Sequence, residues 1–168
     1  MTYPQSPTVL PVMLQRWHEI AFFHWSCEPA LVQRLLPTEL RVDTFDGQAW
    51  ISLTPFLLTS LRPPLFPAVL SLTFPEMNLR TYVVGPNGRA IWFFSLDAGR
   101  RSAVWGARAT FGLPYFWAEM TVDIGTNENV YISKRPEGAN ARIRIAKEER
   151  VTNQSDLDVF LTAFVFTL

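Results

Sequence analysis

The sequence predicts a mainly β (α+β) domain in which a few short helices interrupt antiparallel strands. Three observations carry this. Two dipeptides that favour two-residue hairpin turns, Asp46-Gly47 and Asn87-Gly88, each lie between runs of strand-forming residues. Aromatic and β-branched residues dominate most of the remaining segments. Helix start or stop signals appear in only three short stretches.

In chain order, residues 1–11 hold three prolines and read as an irregular arm. Val12 to Trp25 is apolar and aromatic, rich in strand formers. Glu28-Pro29 opens a short helix with proline in its first turn, Leu31, Leu35 and Leu36 form its apolar face, and Pro37 ends it. A hairpin follows: Leu40, Val42 and Thr44 alternate with polar residues, Asp46-Gly47 turns, and Gln48 to Leu58 returns. Residues 59–75, with Pro63, Pro64, Pro67 and Pro75, read as a long loop, suited to a lid or a hydrophobic contact patch. Glu76 to Gly85 and Arg89 to Asp97 form the second hairpin. Residues 98–110 suit a helix that Gly112 caps. Pro114 to Asp123, Asn129 to Arg135 and Ala141 to Glu148 are three further strands. Ser155 to Asp158 matches a capping box, and Leu157, Phe160, Leu161, Phe164 and Val165 follow at helical spacing. So apolar a terminal helix cannot stay exposed: it is expected to pack on the sheet, and the chain, with sheet edges left uncovered, to associate, most simply as a symmetric dimer.

Composition bounds the function. A chain of 168 residues suits one domain, and 48% hydrophobic against 18% charged residues excludes disorder. Fifteen cations balance fifteen anions, so no charge footprint marks a nucleic acid or an anionic membrane as partner. No segment reads as a signal peptide or a spanning helix, which leaves a cytoplasmic location as the expectation. Cys27 cannot form an internal disulfide and reads as a small hydrophobe. His18 and His24 stand without metal-ligand spacing, and a Cys27–His24 nucleophile pair rests on residue type alone. Neither a metal nor a cofactor is expected; phosphate-loop, dinucleotide and G-x-S-x-G motifs are absent.

Candidate chemistry lies between Phe74 and Asp97. Strand alternation puts Glu76, Asn78, Arg80 and Tyr82 on one face. A two-residue turn at Asn87-Gly88 sets Arg80 opposite Ser95, Asn78 opposite Asp97 and Tyr82 opposite Phe93. That gathers Glu76, Asn78, Arg80, Ser95 and Asp97 on one face among aromatic residues, the pattern of a small-ligand site. Arg80 can fork onto a carboxylate, and Glu76 or Asp97 can act as acid or base if burial raises its pKa. The alternative is a structural network in which Arg80 pairs with Glu76 or Asp97, or a solvated face.

The runs DTFDGQAWISLTPF, FPEMNLRTYV, IWFFSLDA, WGAR and GLPYF, in that order, resemble the YqjF-type bacterial family of unknown function, within the acetoacetate-decarboxylase-like superfamily. The resemblance runs from about Pro11 to the end of the chain. It implies a strongly curved antiparallel sheet or cone-shaped β barrel around a hydrophobic pocket. The superfamily's decarboxylases form a Schiff base on a lysine in a G-F-P-K-K segment. The corresponding stretch here is Gly112 to Phe116, with Tyr115 at the nucleophile position and Phe116 beside it. Glu76 is similar in placement to a pocket carboxylate of the decarboxylases. The two lysines, Lys134 and Lys147, lie in polar surroundings and read as surface groups, whereas a Schiff-base lysine must be desolvated or set beside another cation. Family members continue past the final apolar helix into further strands, so the resemblance also implies a domain, 1–168, shortened at its C-terminus. Two functions stand side by side. One is a pocket protein for a small ligand such as a carboxylate, with Arg80, Glu76, Asn78, Ser95, Asp97 and Tyr115 at the site and any catalysis of acid–base type. The other is a non-catalytic structural or oligomerisation protein.

Overall fold

The computed structural model of the chain describes residues 13–148 and 152–162. The proline-rich arm and residues 163–168 of the expected terminal helix lie outside the described residues.

Two long antiparallel strands form the centre. β1 (Leu14–His18) and β2 (Phe23–Cys27) both pair with the 14-residue β4 (Ala49–Arg62). The stretch expected as one strand breaks at Glu19, whose φ of 51° turns the chain. Helix α1 (Pro29–Gln33) is a single turn with proline at its start, as expected. Its buried residue is Val32, while Leu31 and Leu35 are exposed, contrary to the expected face. In so short a helix one side chain fills the contact. The Gln33 side chain then fastens the following segment, donating to the Leu40 carbonyl and accepting from the Val42 amide.

The Asp46-Gly47 turn forms with positive φ at both residues. The strand before it, β3 (Arg41–Val42), nevertheless pairs with β5 (Leu72–Gly85), and only a Phe45–Gln48 bridge closes the turn. β4 runs on to Arg62 and β5 begins at Leu72, so the loop expected over 59–75 shrinks to residues 63–71 around a 3-10 turn at Ala68–Leu70. A bulge near Ser60, at φ 58°, lets the paired strands continue into the region the prolines suggested was irregular.

β6 (Gly88–Ala98) completes the second hairpin, α2 (Arg101–Phe111) follows, and Gly112 caps it in the left-handed conformation. β7 (Tyr115–Trp117) then joins β6 in parallel. The main sheet has the order β1-β4-β5-β6-β7, with β2 on β4 and β3 on β5. It is mixed, and among the described residues it does not close into a barrel. β8 (Glu119–Ile124), β9 (Glu128–Lys134) and β10 (Asn140–Ala146) make a second, antiparallel sheet.

One apolar cluster, Phe56, Leu58, Phe74, Ala98 and Val104, packs α2 on the main sheet. A second joins Tyr82 to Phe160 and Leu161 of α3 (Asp156–Thr162). The capping box forms: Asp158 accepts from the Ser155 amide at 2.8 Å, and the Asp158 amide donates to Ser155 Oγ at 3.1 Å. The described part of the terminal helix is therefore docked on the sheet of its own chain. No helix among the described residues is long and apolar enough to cross a membrane.

Candidate functional site

The register of β5 and β6 decides which polar residues meet. The turn is Pro86-Asn87, with Gly85 opposite Gly88, so Arg80 faces Phe93 and Tyr82 faces Ile91. This differs by two residues from the expected pairing, and a shift of two leaves every side chain on its face. A bulge between Phe93 and Ser95 then adds one residue, and beyond it Ser95 pairs with Leu79 and Asp97 with Met77. That single extra residue reverses the faces. Glu76, Asn78 and Arg80 share one side of the sheet as expected; Ser95 and Asp97 do not join them.

Asp97 is committed on the other side. It accepts from Ser133 Oγ at 2.9 Å and from Arg135 Nε at 2.7 Å, and is ion-paired with Arg135. It clamps the second sheet to the first and is no longer a candidate acid or base. Ser95 lies beside it in an open cleft of about 250 Å³ on that outer face.

On the inner face lies a cavity of about 160 Å³. β5 supplies Glu76, Asn78 and Arg80, and β4 supplies Thr54, Phe56 and Leu58, which follow from the pairings Thr54–Asn78 and Phe56–Glu76. Phe93 and Leu96 come from β6, Trp17 from β1, and Leu113 and Tyr115 from the chain after α2. Gly112 makes the last contribution possible, since its φ of 63° reverses the chain so that Tyr115 enters the sheet beside Leu96.

Tyr115 donates to Glu76 Oε1 at 3.2 Å. Burial pushes the Glu76 carboxyl up to about 8, against the smaller opposing effects of the Tyr115 hydroxyl and the neighbouring Asn78 side chain. Burial, followed by the neighbouring carboxyl, also pushes the Tyr115 hydroxyl up. Both groups are therefore neutral at pH 7. Arg80 is buried, and among the described residues no carboxylate pairs with it. Its Nη2 donates to the Leu161 carbonyl at 3.5 Å, and its guanidinium lies over the rings of Phe22 at 5.3 Å and Tyr82 at 5.9 Å. The expected salt-bridge network around Arg80 is absent among these residues.

Among the described residues, five buried polar atoms on the cavity lining have no hydrogen-bond partner: Trp17 Nε1, Thr54 Oγ1, Glu76 Oε2, Asn78 Oδ1 and Arg80 Nε. Thr54 and Trp17 were not among the expected site residues. Thr54 is a polar residue on the apolar strand Ala49–Arg62, a signal visible in the sequence; Trp17 reaches the cavity through long-range pairing with β4, which has no local signature.

A second polar chain runs behind Arg80. His24 Nδ1 lies 2.6 Å from Ser52 Oγ, which lies 2.9 Å from Tyr82 Oη, and Tyr82 donates to the Leu161 carbonyl at 2.6 Å. Since Tyr82 gives its hydrogen to Leu161, Ser52 donates to Tyr82 and His24 Nδ1 donates to Ser52. Burial and the Arg80 charge hold His24 down to about 4, so it is neutral. His24 thus partners Ser52; Cys27 is partly buried, with its Sγ directed to the Trp25 carbonyl. Lys134 and Lys147 are both exposed, and Lys147 pairs with Glu19 at 3.4 Å.

Comparison with known proteins agrees with this architecture. The uncharacterized protein YqjF of Bacillus subtilis (strain 168) is 43% identical over 141 residues, which is 83% of this chain and 58% of YqjF. The acetoacetate decarboxylase of Legionella pneumophila superposes with a TM-score of 0.56 at 15% identity, covering 86% of this chain and 56% of the enzyme. The enduracididine biosynthesis enzyme MppR, complexed with the condensation product of pyruvate and imidazole 4-carboxaldehyde, superposes at 0.64 with 9% identity, covering 88% of this chain and 60% of MppR. The chain thus spans less than two thirds of the length of each. Residues 14–165 match the profile of DUF2071, an uncharacterized conserved protein family. The chain belongs to that family, on an acetoacetate-decarboxylase-like fold.

Proposed function

We propose that the inner cavity binds a small carboxylic acid, with Arg80 as the anion anchor and Glu76 as a neutral acid able to give and take a proton. One observation carries this reading. Thr54, Glu76, Asn78 and Arg80 are each at most 6% exposed, line the same cavity, and each keeps an unpartnered polar atom. Leaving such atoms unsatisfied is costly, about 1–3 kcal/mol each, so several around one cavity point to an occupant that satisfies them. Arg80 supplies charge and directed N–H donors for a carboxylate. By the resemblance of Gly112 to Phe116 to the decarboxylases' lysine segment, Tyr115 takes the place of the amine-forming lysine, and both lysines are exposed, so any catalysis here is proton transfer and not imine formation. An MppR structure complexed with pyruvate gives a carboxylate ligand in a protein of this fold.

Calorimetric titration of small carboxylates into the wild type and Arg80→Met tests the reading. Saturable binding that disappears in the variant is expected. Equal binding to both proteins overturns it.

A second reading, self-association, has one observation in its favour. Residues 64–70, uncharged throughout, are all exposed, with Leu65 96% and Val69 87% accessible. Light scattering at micromolar concentration decides it, and a monomer excludes it.

A further inference from the structure

The chemistry of the unpartnered atoms narrows the class of acid. Resting on the reading above, we infer that the cavity takes a singly charged acid bearing a second, neutral oxygen, and takes it together with a proton carried on Glu76 Oε2.

Glu76 has uncharged neighbours on three strands. From β4 it faces Phe56, from β6 Ala98, and from β7 the Tyr115 hydroxyl. β1 brings Trp17 and Gln15 to the cavity, neither of them charged. Arg80 and Arg89 are the cations lining the cavity, and Arg89 is ion-paired with Asp43 at 2.5 Å. Asp97, the nearest carboxylate in sequence, faces the other side of the sheet. Among the described residues the cavity therefore holds one cation without a carboxylate partner, Arg80, and one carboxyl that burial keeps neutral.

The position of the proton follows from the hydrogen bonds. Tyr115 donates to Oε1, so Oε1 acts as the carbonyl oxygen. The acidic hydrogen then belongs on Oε2, the oxygen without a partner. With that hydrogen in place, three unpartnered atoms are donors: Glu76 Oε2, Arg80 Nε and Trp17 Nε1. Asn78 Oδ1 is an acceptor, and the Thr54 hydroxyl serves either way. Such a donor-rich set calls for an acceptor-rich ligand. A carboxylate supplies acceptors to Arg80, a keto or hydroxyl oxygen accepts from Glu76, and a hydroxyl hydrogen can also reach Asn78. One negative charge on the ligand balances Arg80. A second would be buried without a counter-ion, which is strongly unfavourable.

The same arrangement makes binding depend on pH. Below about 8 Glu76 already holds its proton and affinity is constant. Above that, the ligand must bring a proton in with it, so affinity falls towards tenfold for each further pH unit.

The test uses a matched pair of probes, 2-hydroxybutyrate and malate, which share the hydroxy-acid end and differ in a terminal methyl or carboxylate. Calorimetry from pH 6.5 to 9.5 on the wild type, Glu76→Gln and Arg80→Met reads both halves of the inference, with thermal melts confirming that each protein is folded. The wild type is expected to bind 2-hydroxybutyrate with constant affinity to about pH 8 and tenfold losses per unit beyond it. Malate is expected to bind at least tenfold more weakly throughout, and Glu76→Gln to bind 2-hydroxybutyrate with no pH dependence. Binding that requires Arg80 yet stays flat to pH 9.5, or that favours malate, overturns this inference and leaves the carboxylate site standing. Absence of binding by every acid, or binding indifferent to Arg80, overturns both.

Discussion

Replacing Glu76 by glutamine reports on the buried carboxyl without any ligand. The folded chain keeps this group protonated up to about 8, whereas exposure on unfolding returns it to about 4.5. Between those values the folded state holds a proton that the unfolded state has released. The contribution to stability is thus fully present below 4.5 and is lost progressively as pH rises to about 8. Each pH unit in that window costs about 1.4 kcal/mol, so the wild type at pH 7 has lost about 3 kcal/mol relative to its acid limit. Glutamine keeps the shape and places an N–H donor where Oε2–H stood, but it has no proton to lose. Glu76→Gln is therefore expected to match the wild type at pH 4 and to exceed it by about 3 kcal/mol at pH 7, a rise in Tm of about 6–12 °C for a chain of this size. Urea titrations followed by tryptophan fluorescence at pH 4, 5.5, 7 and 8.5 give the difference directly. A stability gap that does not change with pH would falsify the assignment of Glu76 as a neutral buried acid.

Further outcomes follow from the surroundings of Arg80 and Tyr115. Arg80→Met should leave stability within about 1 kcal/mol of wild type or raise it, because a desolvated charge is replaced by an apolar side chain of similar length; a loss of about 3–5 kcal/mol in urea melts is the signature of a broken buried ion pair and counts against the geometry described. Ser52→Ala removes the link between His24 and Tyr82 and should cost about 1–3 kcal/mol, with an unchanged urea midpoint showing that the chain of bonds carries no weight. His24 is held down to about 4 from 6.5, so its contribution to stability is complete above 6.5 and lost as pH falls towards 4; His24→Gln should flatten that acid limb, and identical limbs in the two proteins speak against a buried neutral ring. Borohydride reduction in the presence of pyruvate should leave the intact mass unchanged, and an adduct on Lys134 or Lys147 would show amine chemistry after all.

Much of this architecture is written locally. Asp46-Gly47, Gly112 and the Ser155–Asp158 box act within a few residues, and each forms as its chemistry dictates. Alternation alone places Glu76, Asn78 and Arg80 together, since period two survives any even shift of register. Contributions from distant strands are harder to see. Nothing near Phe94 announces the bulge that sends Ser95 and Asp97 to the outer face. The pairing of β3 with β5, the parallel entry of β7 and the arrival of Trp17 at the cavity are likewise set by tertiary packing. The prolines at 63–75 misled in the other direction, for Pro75 sits within β5 opposite Leu57, its carbonyl accepting from the Gly99 amide.

The carbonyl of Leu161 accepts from both Arg80 and Tyr82. It belongs to α3, and a backbone carbonyl carries only a partial negative charge. A full carboxylate beside Arg80 would hold the guanidinium and cancel its field. A fractional charge can hold it and leave most of that field to act elsewhere. The docked helix is in this sense a weak counter-ion: it keeps a cation tolerable in an apolar interior while leaving its pull on a passing anion largely unspent.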